Sequence, residues 1–171
     1  MHRTGRFRPC VERPREPGSG NGLWCRMYGS DKIRDHWIAY GIFRLALGIN
    51  IFTHGIVRIF GSGPRDFASK TAQAFLPTFL PPWLVFAFLI VLPFVETVLG
   101  ALMALGLFTR WSLILGSLVI VLLIFGTALR SDWATVGLQM IYSISYYFLL
   151  SHLGRNVLSL DTLLSRKGRE A

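Results

Sequence analysis

The stretch WLVFAFLIVLPFVETVLGALMALGLF, Trp83–Phe108, decides how this chain folds. It holds one charge, Glu96, near its middle. It is long enough to cross a bilayer as a helix, which takes about 20 apolar residues. An ionised carboxylate in hydrocarbon is costly unless it is paired, hydrated or protonated. A helix that only anchors has no use for one. Glu96 therefore points to an internal polar site whose partners lie in neighbouring apolar runs.

Three further runs have the required length: Ile38–Phe60, Trp111–Leu129 and Trp133–Leu153. The composition agrees, with 52% hydrophobic residues, 16% charged and a mean hydropathy of +0.47. Soluble domains carry about 25% charge. The expected fold is all-α, an integral membrane four-helix bundle in a single domain over residues 36–153. The first run starts too late and is too long for a signal peptide, so it should stay in the protein. Between the first two runs, Phe67, Thr71, Ala74, Phe75 and Thr78 recur at helical spacing. This predicts a short interfacial helix ended by Pro81 and Pro82. Thr109–Arg110 and Ser131–Asp132 are tight connections that make the flanking spans antiparallel neighbours. Trp37, Trp83, Trp111 and Trp133 stand at span ends, where an amphipathic ring prefers the interface.

The net charge of +9 comes mostly from the ends. Residues 1–35 are rich in Arg, Pro and Gly and read as a disordered basic tail, and residues 154–171 as a basic C-terminal tail. In a four-span chain such tails are cytoplasmic flanks rather than nucleic-acid binders. The expected setting is the cytoplasmic membrane with both termini inside, and Arg65, Lys70 and Arg130 outside. Cys10 and Cys25 lie in the tail with no metal-motif spacing, so no span carries a thiol. No metal site, nucleotide loop or nucleophile–base pair is visible; His54 has no histidine partner at its depth, and His36 and His152 match in depth but lie at the water boundary, so no haem is expected.

At about 100° per residue, Arg44, Asn50, His54 and Arg58 share one arc of the first span. Gly41, Gly48 and Gly55 form an adjoining arc that invites close helix packing. Counting about 1.5 Å per residue from the cytoplasmic ends puts Asn50 level with Glu96 and Arg44 roughly 9 Å inward. Arg44 is thus the expected partner of Glu96, while Arg58 is expected to snorkel to the interface. Pro93 frees a carbonyl near Glu96, and Gly100 opens a gap beside it. Gln139, Tyr142, Ser143 and Tyr146 form a further polar stripe on the last span. His36 and His152 read as interfacial.

Two blocks then resemble a known family. FRLALGINIFTHGIVRIF, Phe43–Phe60, carries Arg44, Gly48, His54–Gly55 and Arg58. FVETVLGALMALGLFTRW, Phe94–Trp111, carries Glu96, Gly100, Gly106, Thr109 and Arg110. With SDWATVGLQMIYSISYYFLL and NVLSLD further on, the chain resembles the DoxX/DoxD-like family of small four-helix membrane proteins over about Ile38–Asp161. Members include the small subunit of a thiosulfate:quinone oxidoreductase. The resemblance implies a membrane subunit of a redox complex. No electron-carrier motif is present, so redox work would need a bound quinone or a partner subunit. On that reading Glu96, Arg44 and His54 are the catalytic candidates, with Glu96 moving protons. Asn50, Arg44, Gln139, Tyr142 and Tyr146 are the quinone-binding candidates, with Phe43 and Phe94 adding aromatic lining. The expected partners are the lipid bilayer and either a partner subunit or a second copy of the chain. The alternatives are a non-enzymatic anchoring or scaffold subunit and a small-solute or proton carrier. The carrier is disfavoured by the lack of an inverted repeat.

Overall fold

Three glycines interlock the first and third helices. The computed structural model describes the backbone of residues 21–162 and the side chains of residues 34–162. Its elements are α1 (Asn21–Val57), a π-helical turn (Arg58–Ser62), α2 (Pro64–Gln73), α3 (Pro82–Leu105), α4 (Thr109–Leu129), α5 (Trp133–Ser151) and a short 3₁₀ turn (Leu153–Arg155). The described residues are all-helical, without strands. A Cβ at Gly48 would lie 2.5 Å from the Ala104 nitrogen, and one at Gly55 would lie 2.5 Å from the Pro93 carbonyl oxygen. Gly100 faces Phe52 and Gly48 just as closely. Small residues thus let α1 and α3 touch backbone to backbone, and they set the register between them.

Three helical stretches are long and apolar enough to cross a membrane: Arg34–Ser62, Pro82–Leu105 and Thr109–Leu129. The fourth expected run is helical as α5, but it is not among those three. Its polar residues, from Thr135 and Gln139 to Ser143 and Ser145, dilute its hydropathy. A short helix does lie between the first two runs, as α2, but it stops at Gln73; Ala74, Phe75 and Thr78 lie in the turns beyond it, so Pro81 and Pro82 open α3 rather than end α2. Pro64 opens it, Asp66 lies in its first turn and Lys70 in its last, which is the charge order a helix dipole favours. Ala68 is fully buried, and Phe67 and Phe75 pack on Val85, Leu89 and Leu92 of α3.

α3 ends at Gly106, whose φ of 69° is left-handed, and the Leu107 N–H bonds the Leu102 carbonyl at 2.9 Å. This cap suits glycine because it has no Cβ. Pro93 sits inside α3 without ending it, and the Thr97 hydroxyl donates to the Pro93 carbonyl at 2.7 Å. α4 and α5 meet where Gly116 faces Tyr146, the ring packing where any side chain at 116 would stand. Leu113, Met103, Leu149 and Tyr146 fill the centre.

The boundaries at both ends of the chain differ from those read in the sequence, and Thr109–Arg110, read as a connection, already form the start of α4. α1 starts at Asn21, inside the stretch expected to be disordered, and residues 1–20 lie outside the described residues. Extending a nucleated helix adds one hydrogen bond per residue, which favours such growth. Residues up to His36 belong to a separate unit from Trp37 onward. At the other end, residues 154–162 are not a free tail. Asp161 accepts from the Phe108 N–H at 2.8 Å, the Thr109 N–H at 2.9 Å and the Thr109 hydroxyl at 3.0 Å. Phe108 cannot cap α4 itself, so a distant carboxylate satisfies those N–H groups. Residues 163–171 lie outside the described residues.

Candidate functional site

Glu96 is buried, and its ion-pair partner is Arg58 rather than the expected Arg44. The glycine interlock explains the correction. It brings Arg44 against Gly106, ten residues and so about 15 Å along α3 from Glu96. Arg58 rises from the π-helical turn that follows α1, and its Nη1 donates to Glu96 Oε2. It does not snorkel away. Its guanidinium also stacks over the Phe67 ring of α2, 4.7 Å from the centroid, a favourable cation–π geometry. π-Turns recur at functional sites because they re-aim a side chain.

Arg44 has a different task. Nη1 donates to Asn156 Oδ1 at 2.7 Å and Nη2 to the Leu158 carbonyl at 2.9 Å. Asn156 in turn donates to the Thr109 hydroxyl at 3.0 Å. Arg44, Asn156, Thr109 and Asp161 thus lock the C-terminal segment to the α3–α4 turn. This cluster lies at the C-terminal end of α3, about three turns beyond Glu96.

The remaining candidates divide three ways. Tyr146 is buried near Glu96. With Glu96, Ile51, Gly116 and Ile120 it lines a void of about 10 Å³, at the lower limit for one water. Tyr142 donates its hydroxyl to Asn50 Oδ1 at 2.9 Å, which ties α5 to α1. His54 is exposed with Asn50, Thr53 and Arg58 on an open groove of α1, and Glu96 bonds Arg58 rather than His54. Gln139 alone of the quinone-binding candidates lines the cavity among α2, α3, α4 and α5, where its Oε1 accepts from the Thr127 hydroxyl at 2.7 Å.

That cavity is about 420 Å³ and lies among α2, α3, α4 and the start of α5. Aromatic rings line its wall: Phe67 of α2, Phe75 in the turn that follows α2, Phe88 of α3 and Phe125 of α4. Arg58 and Arg130 both line it, and Arg58 also lines the open groove of α1. Arg130 stacks over Phe75 at 5.2 Å and lies 3.8 Å from Asp132. Each guanidinium therefore has a carboxylate beside it, Glu96 for Arg58 and Asp132 for Arg130. Asp132 also caps α5, accepting from the Thr135 N–H and hydroxyl. Those hydrogen bonds hold its carboxyl below the usual range. Leu84, Leu122 and Phe125 line the cavity and are also about half exposed on the outer surface, so that wall faces the lipid side of a membrane helix pair.

Reading the sequence missed Arg58 as the partner of Glu96, and of the residues it named for an internal site only Gln139 lines this cavity. The signal for Arg58 was its place on the same arc as Arg44. The signal for the α2 wall was the spacing of Phe67, Thr71 and Phe75. The sequence profile of the family described as TQO small subunit DoxD matches residues 67–171, and the chain belongs to this family. No curated protein and no solved structure matches the chain.

Proposed function

We propose that this DoxD-family chain is a four-span membrane subunit of a quinone-linked oxidoreductase complex and holds the quinone in the cavity between α2 and α5. α5 is the fourth span on this reading, and an even number of spans leaves both termini on the cytoplasmic side of the cytoplasmic membrane. The observation that carries the reading is the cavity itself. Its 420 Å³ lies within the range of small-molecule sites. Its lining is aromatic and apolar with a few convergent polar groups, which suits a planar ring with an isoprenoid-like tail.

Charge supports a neutral ligand. Arg58 and Arg130 are each accompanied by a carboxylate, so an anionic headgroup would gain little from them. A quinone offers two neutral carbonyl oxygens, and guanidinium N–H groups are ready donors to them. The half-exposed wall of Leu84, Leu122 and Phe125 gives a ligand dissolved in the bilayer a direct entrance. Reduction of a quinone to a quinol takes two electrons and two protons. The electrons must come from a partner subunit. Glu96, behind Arg58, is the ionisable group best placed to manage a proton.

The test is to purify the chain in mild detergent and extract bound quinone. We expect near-stoichiometric quinone in the native chain and loss of it in Gly126→Leu. A Cβ at Gly126 would sit 3.4 Å from the Phe75 ring, so a leucine there fills the cavity. Quinone absent from the native chain, or unchanged in Gly126→Leu, refutes the reading and favours the anchoring role.

A further inference from the structure

Asn50 and His54 are polar and exposed near the middle of the Arg34–Ser62 stretch, which is long and apolar enough to cross a membrane. They line the open groove of α1 with Ala46, Thr53 and Arg58. Polar side chains at this depth nearly always face protein or water, because hydrocarbon offers them no partner. Thr53 is satisfied within its own helix, since its hydroxyl donates to the Ile49 carbonyl at 2.8 Å. Asn50 is satisfied only in part. Its Oδ1 accepts from Tyr142 at 2.9 Å, while its two N–H donors bond nothing among the described residues. The His54 ring also bonds nothing there. This face of α1 needs a polar cover, and none of the described residues supplies it.

Charge and spacing identify the cover. Arg58 already has Glu96 as its counter-ion, so the groove holds no fixed charge that calls for an acidic helix. It calls for a neutral polar group at the depth of Asn50, and Asn50 is itself such a group, able to donate and accept at once. The exposed residues Ala39, Phe43, Ala46, Asn50, Thr53 and Val57 follow one another in alternating steps of four and three, the seam along which two helices wrap around each other. At about 100° per residue the seam lies opposite Gly48 and Gly55, the face of α1 that packs on α3.

We infer that a second copy of this chain covers the groove, the two α1 helices packing in parallel along this seam with Asn50 against its counterpart. Copies inserted with the same topology are related by a two-fold axis along the membrane normal, so a residue on the seam meets itself at equal depth. Each Asn50 then donates to the Oδ1 of the other, on the lone pair that Tyr142 leaves free. One Asn in such a seam fixes register and the number of helices. Ala46 and Thr53 are small enough for the helices to approach closely. His54, one turn beyond Asn50, is shielded from lipid beside the seam. The pairing is independent of what the cavity between α2 and α5 holds.

The experiment is disulfide crosslinking of the full-length chain in its membrane, with Cys10→Ser and Cys25→Ser as the background. Ala46→Cys and Thr53→Cys should each oxidise to a dimer of this chain. Leu45→Cys and Leu122→Cys, about half exposed but off the seam, should not. In vesicles holding the purified chain, energy transfer between labelled copies measures the pairing. Asn50→Leu should weaken it by about three- to tenfold, the range of one interhelical hydrogen bond in a membrane. Tyr142→Phe removes the other bond to Asn50 and should leave the pairing in place. The crosslinks decide the inference even if Asn50→Leu fails to fold. Dimer yields at Ala46 and Thr53 no higher than at Leu45 and Leu122 would overturn it. So would seam cysteines that join this chain to a different protein and not to itself. Pairing unchanged in a folded Asn50→Leu variant would overturn the part assigned to Asn50.

Discussion

Arg58, from the π-helical turn at the end of α1, holds the carboxylate of Glu96 in the interior of the bundle and at the same time forms part of the cavity wall. One guanidinium thus joins the buried charge on α3 to the space where a ligand can sit. Removing either partner leaves the other charge buried and unpaired. Glu96→Gln and Arg58→Gln should each destabilise the purified protein by about 3 kcal/mol, read as thermal or denaturant midpoints. The double change should recover part of that loss. Arg44→Gln serves as the control. Its effect should add to that of Glu96→Gln, because the two side chains share no partner.

Arg44 belongs to the lock at the C-terminal end of α3. Arg44→Met removes the bonds to Asn156 and the Leu158 carbonyl, and Asp161→Ala removes the cap of α4. Each should cost about 1–2 kcal/mol. Each should also speed amide hydrogen exchange over residues 156–162 while leaving α2 unchanged. Protection that stays the same in both variants would show that the segment is held by other contacts.

The apolar runs made the helices and their order legible in the sequence, and the spacing of Phe67, Thr71 and Phe75 made α2 legible. Helix register was not. Depth counted from the ends of apolar runs assumes that α1 and α3 stop at the same level. α1 instead continues through Arg58–Ser62 as a π-turn, and Gly48, Gly55 and Gly100 fix the crossing. An error of a few residues in register exchanged Arg44 for Arg58. NVLSLD was visible as a motif, but Asn156 and Asp161 act across more than forty residues of chain on Thr109, which no local pattern reveals. The cavity is a gap between four helices, so no single stretch encodes it.

Asp132 offers a pH test outside the spans. Its hydrogen bonds from Thr135 lower its pKa. A carboxylate lowered in the folded state adds stability above its unfolded pKa and loses it as pH falls through the folded one. Thr135→Val should therefore move the Asp132 titration, followed by carbonyl NMR of Asp-labelled protein, back up towards the ordinary carboxylate range. It should also remove the Asp132 share of acid-side destabilisation. A titration that does not move would mean that Thr135 is not its main partner.

The four-span topology is tested by accessibility. Cysteines placed at Ser69 and at the C-terminus should react with a membrane-impermeant maleimide from opposite faces of oriented vesicles. Labelling of both from one face would give an odd number of crossings and would remove α5 as a span.

Glu96→Gln separates a working carboxylate from a structural one. Gln keeps the shape and can accept from Arg58, but it carries no proton. If Glu96 serves the chemistry, the assembled complex should lose most of its quinone-dependent turnover per complex, at least about tenfold, the low side of the usual contribution of a general acid. Lower yield of complex with normal turnover per complex would support an anchoring subunit.

The most direct measurement of the central claim is photo-crosslinking with an azido-quinone, followed by peptide mapping of the full chain in its membrane. The account predicts labelling at residues 67–75, in α2 and the turn after it, and at residues 122–130, at the end of α4, the walls of the cavity beside Arg58 and Arg130, with competition by unlabelled quinone. Competed labelling confined to the open groove of α1 around Asn50 and His54, or no competed labelling at all, would contradict it.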